Sequence, residues 1–352
     1  MNSKIWSLCF LFLSLLLCVC AIFLTGTIDP YFHYHAPLDT LTYPITNERY
    51  QNYGIAEHFS YDTLITGSSM TQNFRASECD ALFDAQTVKL PLSGGTFLEF
   101  SQLIHHAARS NPDLKRVFWG LDCWLLFESA DAMRSGEEFP TYLYDDNLFN
   151  DTAYTLNKHI LLQGTLSVLD HTYQGKPTTS FDEYTFWGHQ AVFSKDNVLS
   201  AYARPQKTEP PSAAPFFLEN ARETVTQNLI PLVSQYPNIE FYFFFTPASI
   251  LNMDSLNQES LLRYQFEACS IASDLLLEWE NVHLFSFLDD YKTITNLDNY
   301  FDTIHYHDGI NSLMLLEMAS GHSLLTKDTY LTYWQNVCAY YEAYDYDALF
   351  DS

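Results

Sequence analysis

The chain reads as an α/β protein: a three-layer, doubly wound, mainly parallel sheet behind an N-terminal transmembrane helix, with an insertion after the third strand. Three observations predict this. Residues Ile5 to Leu24 carry no charge and are dominated by Leu, Phe, Cys and Ile. From Tyr61 onward, short apolar runs alternate with amphipathic stretches, the rhythm of strands and helices in turn. The run Phe241-Tyr242-Phe243-Phe244-Phe245 suits a central strand buried on both faces.

A stretch of about 20 apolar residues crosses a bilayer as a helix. Lys4 before it and Asp29 after it give an N-in, C-out orientation. A cleaved signal peptide is the competing reading. The length of the run, and the lack of a small-x-small site before Asp29, favour a retained anchor. Leu17 and Val19 precede Cys18 and Cys20 where a lipoprotein signal needs a small residue. The expected organisation is an anchor over 1–28, a Tyr-, His- and Pro-rich membrane-proximal segment over 29–54, and an α/β domain over 55–352. The bulk of the chain then lies outside the cytoplasmic membrane.

Within the domain, Thr63 to Thr66 reads as the first strand and Thr71 to Phe83 as a helix. Thr87 to Leu90 is the second strand. The helix Thr96 to Arg109 carries Phe97, Phe100, Leu103, Ile104 and Ala107 on one face. Val117 to Leu121 is the third strand. About 124–215, rich in Tyr, Asp, Thr and Pro, breaks the rhythm and reads as an insertion able to cover the end of the sheet. The alternation resumes with a helix at Phe217 to Gln235, a strand at Ile239 to Phe245, a helix at Leu256 to Trp279 and a strand at Val282 to Phe285. Helices at Gly309 to Ala319 and Thr329 to Tyr344 complete it.

The 352 residues, 47% of them hydrophobic, are enough for a sizeable core. A net charge of −26 disfavours nucleic acid and anionic lipid surfaces as partners. Cys79, Cys123, Cys269 and Cys338 lie outside the anchor without a CxxC pair, so a zinc ribbon is not expected, and disulfides or buried thiols both fit. Close histidine pairs occur at His33/His35, His105/His106 and His305/His307, but a metal site needs three or four convergent ligands. No metal and no cofactor are expected.

Ligands of open α/β sheets bind beyond the carboxyl ends of the strands. Gly67-Ser68-Ser69-Met70 follows the first strand, Ser93-Gly94-Gly95 follows the second, Gly120-Leu121-Asp122 ends the third, and Asp302-Thr303-Ile304-His305 follows the last. A serine on a strand-to-helix turn, completed by a late Asp and His, has the order of an acyl-transfer triad. In that reading Ser69 is the nucleophile, His305 the general base and Asp302 its orienting carboxylate, with His307 as substitute base. Backbone N–H groups of Ser69 and of Gly94 or Gly95 are candidate oxyanion donors. The structural alternatives are a helix N-cap for Ser68 and Ser69, a turn for Gly94-Gly95 and a solvated loop for Asp302 and His305.

These four blocks resemble the SGNH (GDSL-type) hydrolase superfamily over roughly residues 55–325, which implies a flavodoxin-like fold. Ser68 replaces the acidic residue of the family's Gly-Asp-Ser, leaving Ser69 at the nucleophile position. The family's third oxyanion donor, the Asn of a Gly-x-Asn block, is Asp122 of Gly120-Leu121-Asp122 here. An ionised Asp122 cannot donate, so either burial keeps it protonated, or another group donates, or the site hydrolyses esters poorly. Within the superfamily the chain is similar to anchored extracytoplasmic proteins of the D-alanyl-lipoteichoic-acid and alginate O-acetylation type. The resemblance implies acyl esterase or O-acyltransferase activity on a cell-surface polysaccharide, with an acyl donor and a membrane-bound O-acyltransferase as partners. An inactive glycan-binding or scaffold protein of the same fold is the alternative.

Overall fold

A computed structural model of the protein describes residues 3–134, 140–144, 147 and 149–350. The chain forms two compact units, residues 1–59 with 135–180 and residues 60–134 with 181–352. The expected insertion is therefore divided between them, and its residues 135–139, 145, 146 and 148 lie outside the described residues.

The sheet belongs to the second unit. Its strands are β1 (Thr63–Thr66), β2 (Thr87–Lys89), β3 (Arg116–Leu121), β4 (Glu240–Phe245), β5 (Val282–Ser286) and β6 (Leu324–Leu325). Their spatial order is β2-β1-β3-β4-β5-β6. β1 to β5 are parallel and β6 runs antiparallel to β5. The reversal of order between β1 and β3 is compatible with a flavodoxin-like fold. Both faces are covered. Phe97 and Phe100 of the helix Phe97–Ser110 meet Trp119, which meets Phe243. On the opposite face, Phe83 of the helix Ala76–Phe83 packs edge-on against Phe118 and Tyr242. Phe241, Phe243, Phe244 and Phe245 are fully buried, as a central strand requires.

The helix Phe97–Ser110 buries the predicted apolar face, each large side chain stabilising by about 1.5–3 kcal/mol. A capping box starts it: Thr96 Oγ1 accepts from the Glu99 N–H at 3.3 Å, and Glu99 Oε2 accepts from the Thr96 N–H at 2.9 Å.

Three helices differ from expectation. Thr71 to Phe83 begins as a 3₁₀ turn at Ser69–Thr71, and regular helix starts only at Ala76. Thr71 Oγ1 donates to the Ser68 carbonyl, and Asn73 Oδ1 accepts from the Trp187 and Gly188 N–H groups, so local polar bonds displace the helix ladder. Leu256 to Trp279 is two helices, Ile250–Gln258 and Leu262–Leu276. They separate at Ser260, whose φ is +55°, where Ser260 Oγ donates to Thr208 O and the Thr208 N–H donates to Gln258 O. The helix from Phe217 starts earlier, at Ala214, and passes through a π turn at Val225–Leu229.

In the first unit, the apolar helix Ser3–Ile28 is long enough to cross a membrane and is exposed along most of its length. Asp29 stops it at φ +47°. The buried Asp29 carboxylate accepts the N–H groups of His33, Tyr34 and His35 and the Tyr154 hydroxyl, the last at 2.6 Å. A helix at Glu48–His58 lies within and beyond the segment that shows no periodicity. Its anchor is polar: Gln51 Oε1 accepts the N–H groups of Thr46 and Asn47, while Nε2 donates to Pro30 O and Pro44 O.

Close backbone approach fixes the end of β1. Gly67 has φ +141°, and a Cβ on Gly120 would stand 2.7 Å from the Thr71 methyl and 3.3 Å from the Phe244 ring. Gly120→Ala is therefore expected to destabilise by roughly 1–3 kcal/mol. Thr71→Ser, which removes the methyl and keeps the hydroxyl, should recover much of that loss. Denaturant titration of the two single variants and the double variant measures the coupling, and strict additivity would rule out this contact.

Candidate active site

The β1 strand delivers Gly67-Ser68-Ser69 to the carboxyl end of the sheet. Ser68 is buried and its Oγ accepts the Met70 N–H at 3.2 Å. The capping role thus falls to Ser68 and leaves the Ser69 hydroxyl free to face outward. Ser69 Oγ stands 2.7 Å from His305 Nε2.

The histidine comes from a loop held at several points. Tyr300 and Tyr306 form a bridge across it, with the Phe301 N–H donating to His305 O at 2.8 Å and the His307 N–H to Asn299 O at 3.0 Å. The Tyr300 hydroxyl donates to Pro247 O, and Ser249 Oγ donates to Thr303 O. Asp302 completes the turn: Oδ1 accepts the Ile304 and His305 N–H groups, and Oδ2 lies 2.7 Å from His305 Nδ1. Burial pushes the Asp302 carboxyl up, but the hydrogen bonds and charge of His305 and the two backbone N–H groups outweigh it and hold the pKa below the usual carboxylate range.

Ser69, His305 and Asp302 therefore form one continuous hydrogen-bonded row. The row orients the imidazole through Nδ1 and presents Nε2 to the hydroxyl, the arrangement that general-base activation requires. His307 takes another role. Its Nδ1 accepts the Gly309 N–H and caps the helix Asp308–Ser320.

A cleft of about 490 Å³ opens over the row, lined by Ser69, Gln72, Ser93, Trp187, Gln190, Ala191, Phe301, Asp302 and His305. Trp187 stands edge-on to the His305 ring at 5.3 Å, and its Nε1–H donates to Ser69 O at 3.4 Å. Asn73 holds the loop bearing Trp187 through the two N–H groups already described. Gln72, Trp187, Gln190 and Phe301 escape sequence reasoning. The aromatic crowding of 181–187 in the expected insertion is a signal for Trp187 alone.

Among the expected oxyanion donors, Gly95 needs correction. The Gly95 N–H donates to Leu92 O at 2.8 Å within a turn, so it is engaged. Gly94 supplies the left-handed residue of that turn at φ +62°, and its carbonyl accepts from Arg134 Nε. It is Ser93, not Gly94 or Gly95, that lines the cleft. Asp122 is 1% exposed and also absent from the lining. Its Oδ1 accepts the Thr246 hydroxyl at 3.0 Å, tying the end of β3 to the end of β4.

The other histidines disperse. His33 Nε2 lies 3.4 Å from Asp151 Oδ1, and His105 Nδ1 lies 3.1 Å from the Tyr236 hydroxyl. Among the described residues, no group of three or more His, Cys, Asp or Glu side chains could hold a metal. The seven cysteines are free thiols, with Cys79, Cys123 and Cys269 buried. No family model and no curated protein matches this chain.

Burial raises the Asp122 pKa to about 6, against the opposing pull of the Ser68 and Thr246 hydroxyls and the charge of His305. Above its unfolded value, the folded chain holds this proton longer than the unfolded chain does. Stability therefore falls as pH rises from the ordinary carboxylate value to about 6, by roughly 3 kcal/mol. Asp122→Asn is expected to raise Tm by several degrees at about pH 8 and to change it little near pH 3.5. Calorimetry at both pH values checks the sign; an equal gain at both would trace to packing instead.

Proposed function

We propose that this chain is a membrane-anchored, extracytoplasmic acyl esterase or O-acyltransferase of the SGNH type. The observation that carries the reading is the hydrogen-bonded row Ser69–His305–Asp302, with 2.7 Å at both its side-chain links. In this reading His305 Nε2 takes the Ser69 proton as Oγ attacks an acyl carbonyl. The oxyanion that forms is met by the Ser69 N–H and by a donor from the Ser93 turn. His305 then returns the proton to the departing alcohol, leaving an acyl ester on Ser69 Oγ. Water or a sugar hydroxyl, deprotonated by the same Nε2, attacks that ester, and collapse of the second intermediate restores Ser69. Asp302 keeps its negative charge throughout and stabilises the imidazolium.

The anchor Ser3–Ile28 supports work beside a membrane, and the resemblance points to a cell-surface polysaccharide as acceptor alongside a membrane-bound O-acyltransferase. One observation favours the second reading, a binding or scaffold protein that has lost turnover. Asp122 stands at the position of the family's amide donor, yet it is buried and bonded to Thr246.

Full-length protein in detergent is expected to turn over an activated acetyl ester. Ser69→Ala should lower that rate by about 10³-fold or more, and Asp302→Asn by on the order of 10³–10⁴-fold, with folding unchanged by circular dichroism. A serine-directed phosphonate should label Ser69 alone. A wild-type sample that is folded, silent toward the ester and unlabelled would favour the binding reading.

A further inference from the structure

The first unit carries a feature that acyl chemistry does not use. Leu162, Leu166, Leu169 and Tyr173 are 57%, 43%, 37% and 91% exposed. They follow one another along continuous helical backbone, π-wound at Ile160–Thr165 and α-helical at Leu166–Tyr173. Spacings of four, three and four residues bring them to one side. Ile160, Gly164 and Val168 bury the other.

This apolar row begins at the outer end of the long apolar helix. Ser3–Ile28 packs against Thr152–Thr155 and Ile160–Thr165, and its buried residues, Thr25 and Ile28, lie in its last turns. A Cβ on Gly164 would stand 3.0 Å from Pro30, just past the end of that helix. The local charge also departs from the rest of the chain. Residues 152–176 contain Lys158 and Lys176 against Asp170 alone, with His159 and His171 beside them, in a protein of net charge −26.

We propose that Ile160–Tyr173 is an interfacial helix, lying in the headgroup layer of the bilayer that Ser3–Ile28 crosses, with its leucine row in the acyl boundary. The inference rests on the reading of Ser3–Ile28 as a membrane anchor. Phospholipid is the occupant because the row continues from the end of the lipid-crossing helix, at the height where apolar side chains give way to Asp29. The flanking Lys158 and His159 suit headgroup phosphates, as amphipathic surface helices require. A charge of −26 on the whole chain would repel an anionic surface, and this stretch is relieved of it.

The test uses the full chain in phosphatidylcholine nanodiscs without any other protein. Cys9, Cys18, Cys20 and Cys338 are replaced by Ala, and the buried Cys79, Cys123 and Cys269 are left. A bimane label is then placed singly through Leu162→Cys, Leu166→Cys, Leu16→Cys in the anchor, or Leu316→Cys on an exposed helix of the second unit. Labels at positions 162 and 166 are expected to be quenched by a nitroxide about 5–10 Å below the headgroups and protected from aqueous iodide. The label at 16 should respond to a deep nitroxide, and that at 316 to iodide alone. Labels at 162 and 166 as open to iodide as that at 316, with 16 still lipid-quenched, would overturn the interfacial helix, leave the anchor standing and assign the row to a protein partner. A label at 16 that is itself open to iodide would overturn the anchor, and this inference with it.

Discussion

The carbonyl of Met70 is the point on which the site depends. The Tyr306 hydroxyl and the Asn311 amide both donate to it at 3.2 Å. Both residues follow His305 in the chain, while Met70 follows Ser69, so one acceptor holds two segments that the sequence separates by 236 residues. Closing so long a loop costs little more than closing a shorter one, because the entropy grows only logarithmically with length. What the site needs is rigidity once closed. Buried hydrogen bonds provide it, since leaving either donor unpaired there costs about 1–3 kcal/mol. Burial pushes the Tyr306 phenol well above its ordinary pKa, so it remains a donor at any ordinary pH. The 2.7 Å contact between Ser69 and His305 is thus set by neighbours that take no part in proton transfer.

Asp122 adds a second constraint, and its sign depends on its proton. When ionised it lies in the field of His305 and favours the imidazolium, as Asp302 does. In the proposed reading, the same negative charge would oppose an oxyanion growing at Ser69. When protonated it gives up both effects. Burial raises its pKa, the Ser68 and Thr246 hydroxyls bring it back, and the balance falls at about 6. In that reading a buried carboxylate would exchange some oxyanion stabilisation for support of the protonated base. An asparagine could not make that exchange, and this is the physical sense in which Asp122 would differ from the Gly-x-Asn pattern that the chain resembles.

The sheet was legible because its signals are local. β1, β3, β4 and β5 announce themselves as compact apolar runs, and Phe97 to Ala107 shows helical spacing without interruption. The pairing of Ser69 with the Asp302-His305 turn could be anticipated because both follow strands of one parallel sheet. What stayed hidden is held by side chains acting at a distance. Glu48–His58 is organised by Gln51 and by the close approach of Gly54 to the Phe32 carbonyl, neither of which leaves a periodic trace. The break at Ser260 depends on Thr208, some fifty residues earlier, with neither glycine nor proline to mark it. Trp187 reaches the cleft because Asn73 holds its backbone, a link between a turn and a loop with no common pattern. Gly94-Gly95 reads as an oxyanion hole on a general signal. Glycines permit close approach, but here one amide is already spent on Leu92.

Whether an acyl group on Ser69 would pass to water or to a sugar hydroxyl is a question of positioning rather than of intrinsic reactivity. Both nucleophiles would need the same base, His305 Nε2, and both would approach through the same cleft. Water is present at high concentration, but an acceptor held in register can reach effective molarities of about 10⁵–10⁸ M. The cleft offers a surface for such holding. Trp187 and Phe301 make a tilted ring contact beside the imidazole, with centroids 6.1 Å apart at 50°, and Phe301 is 47% exposed. Gln72 and Gln190 line the same cleft, and in the proposed reading its aromatic side chains would stack against a sugar ring. A small acyl alcohol would fill little of about 490 Å³. In the proposed reading, a cleft of this size with an aromatic wall would admit an acceptor bulkier than water.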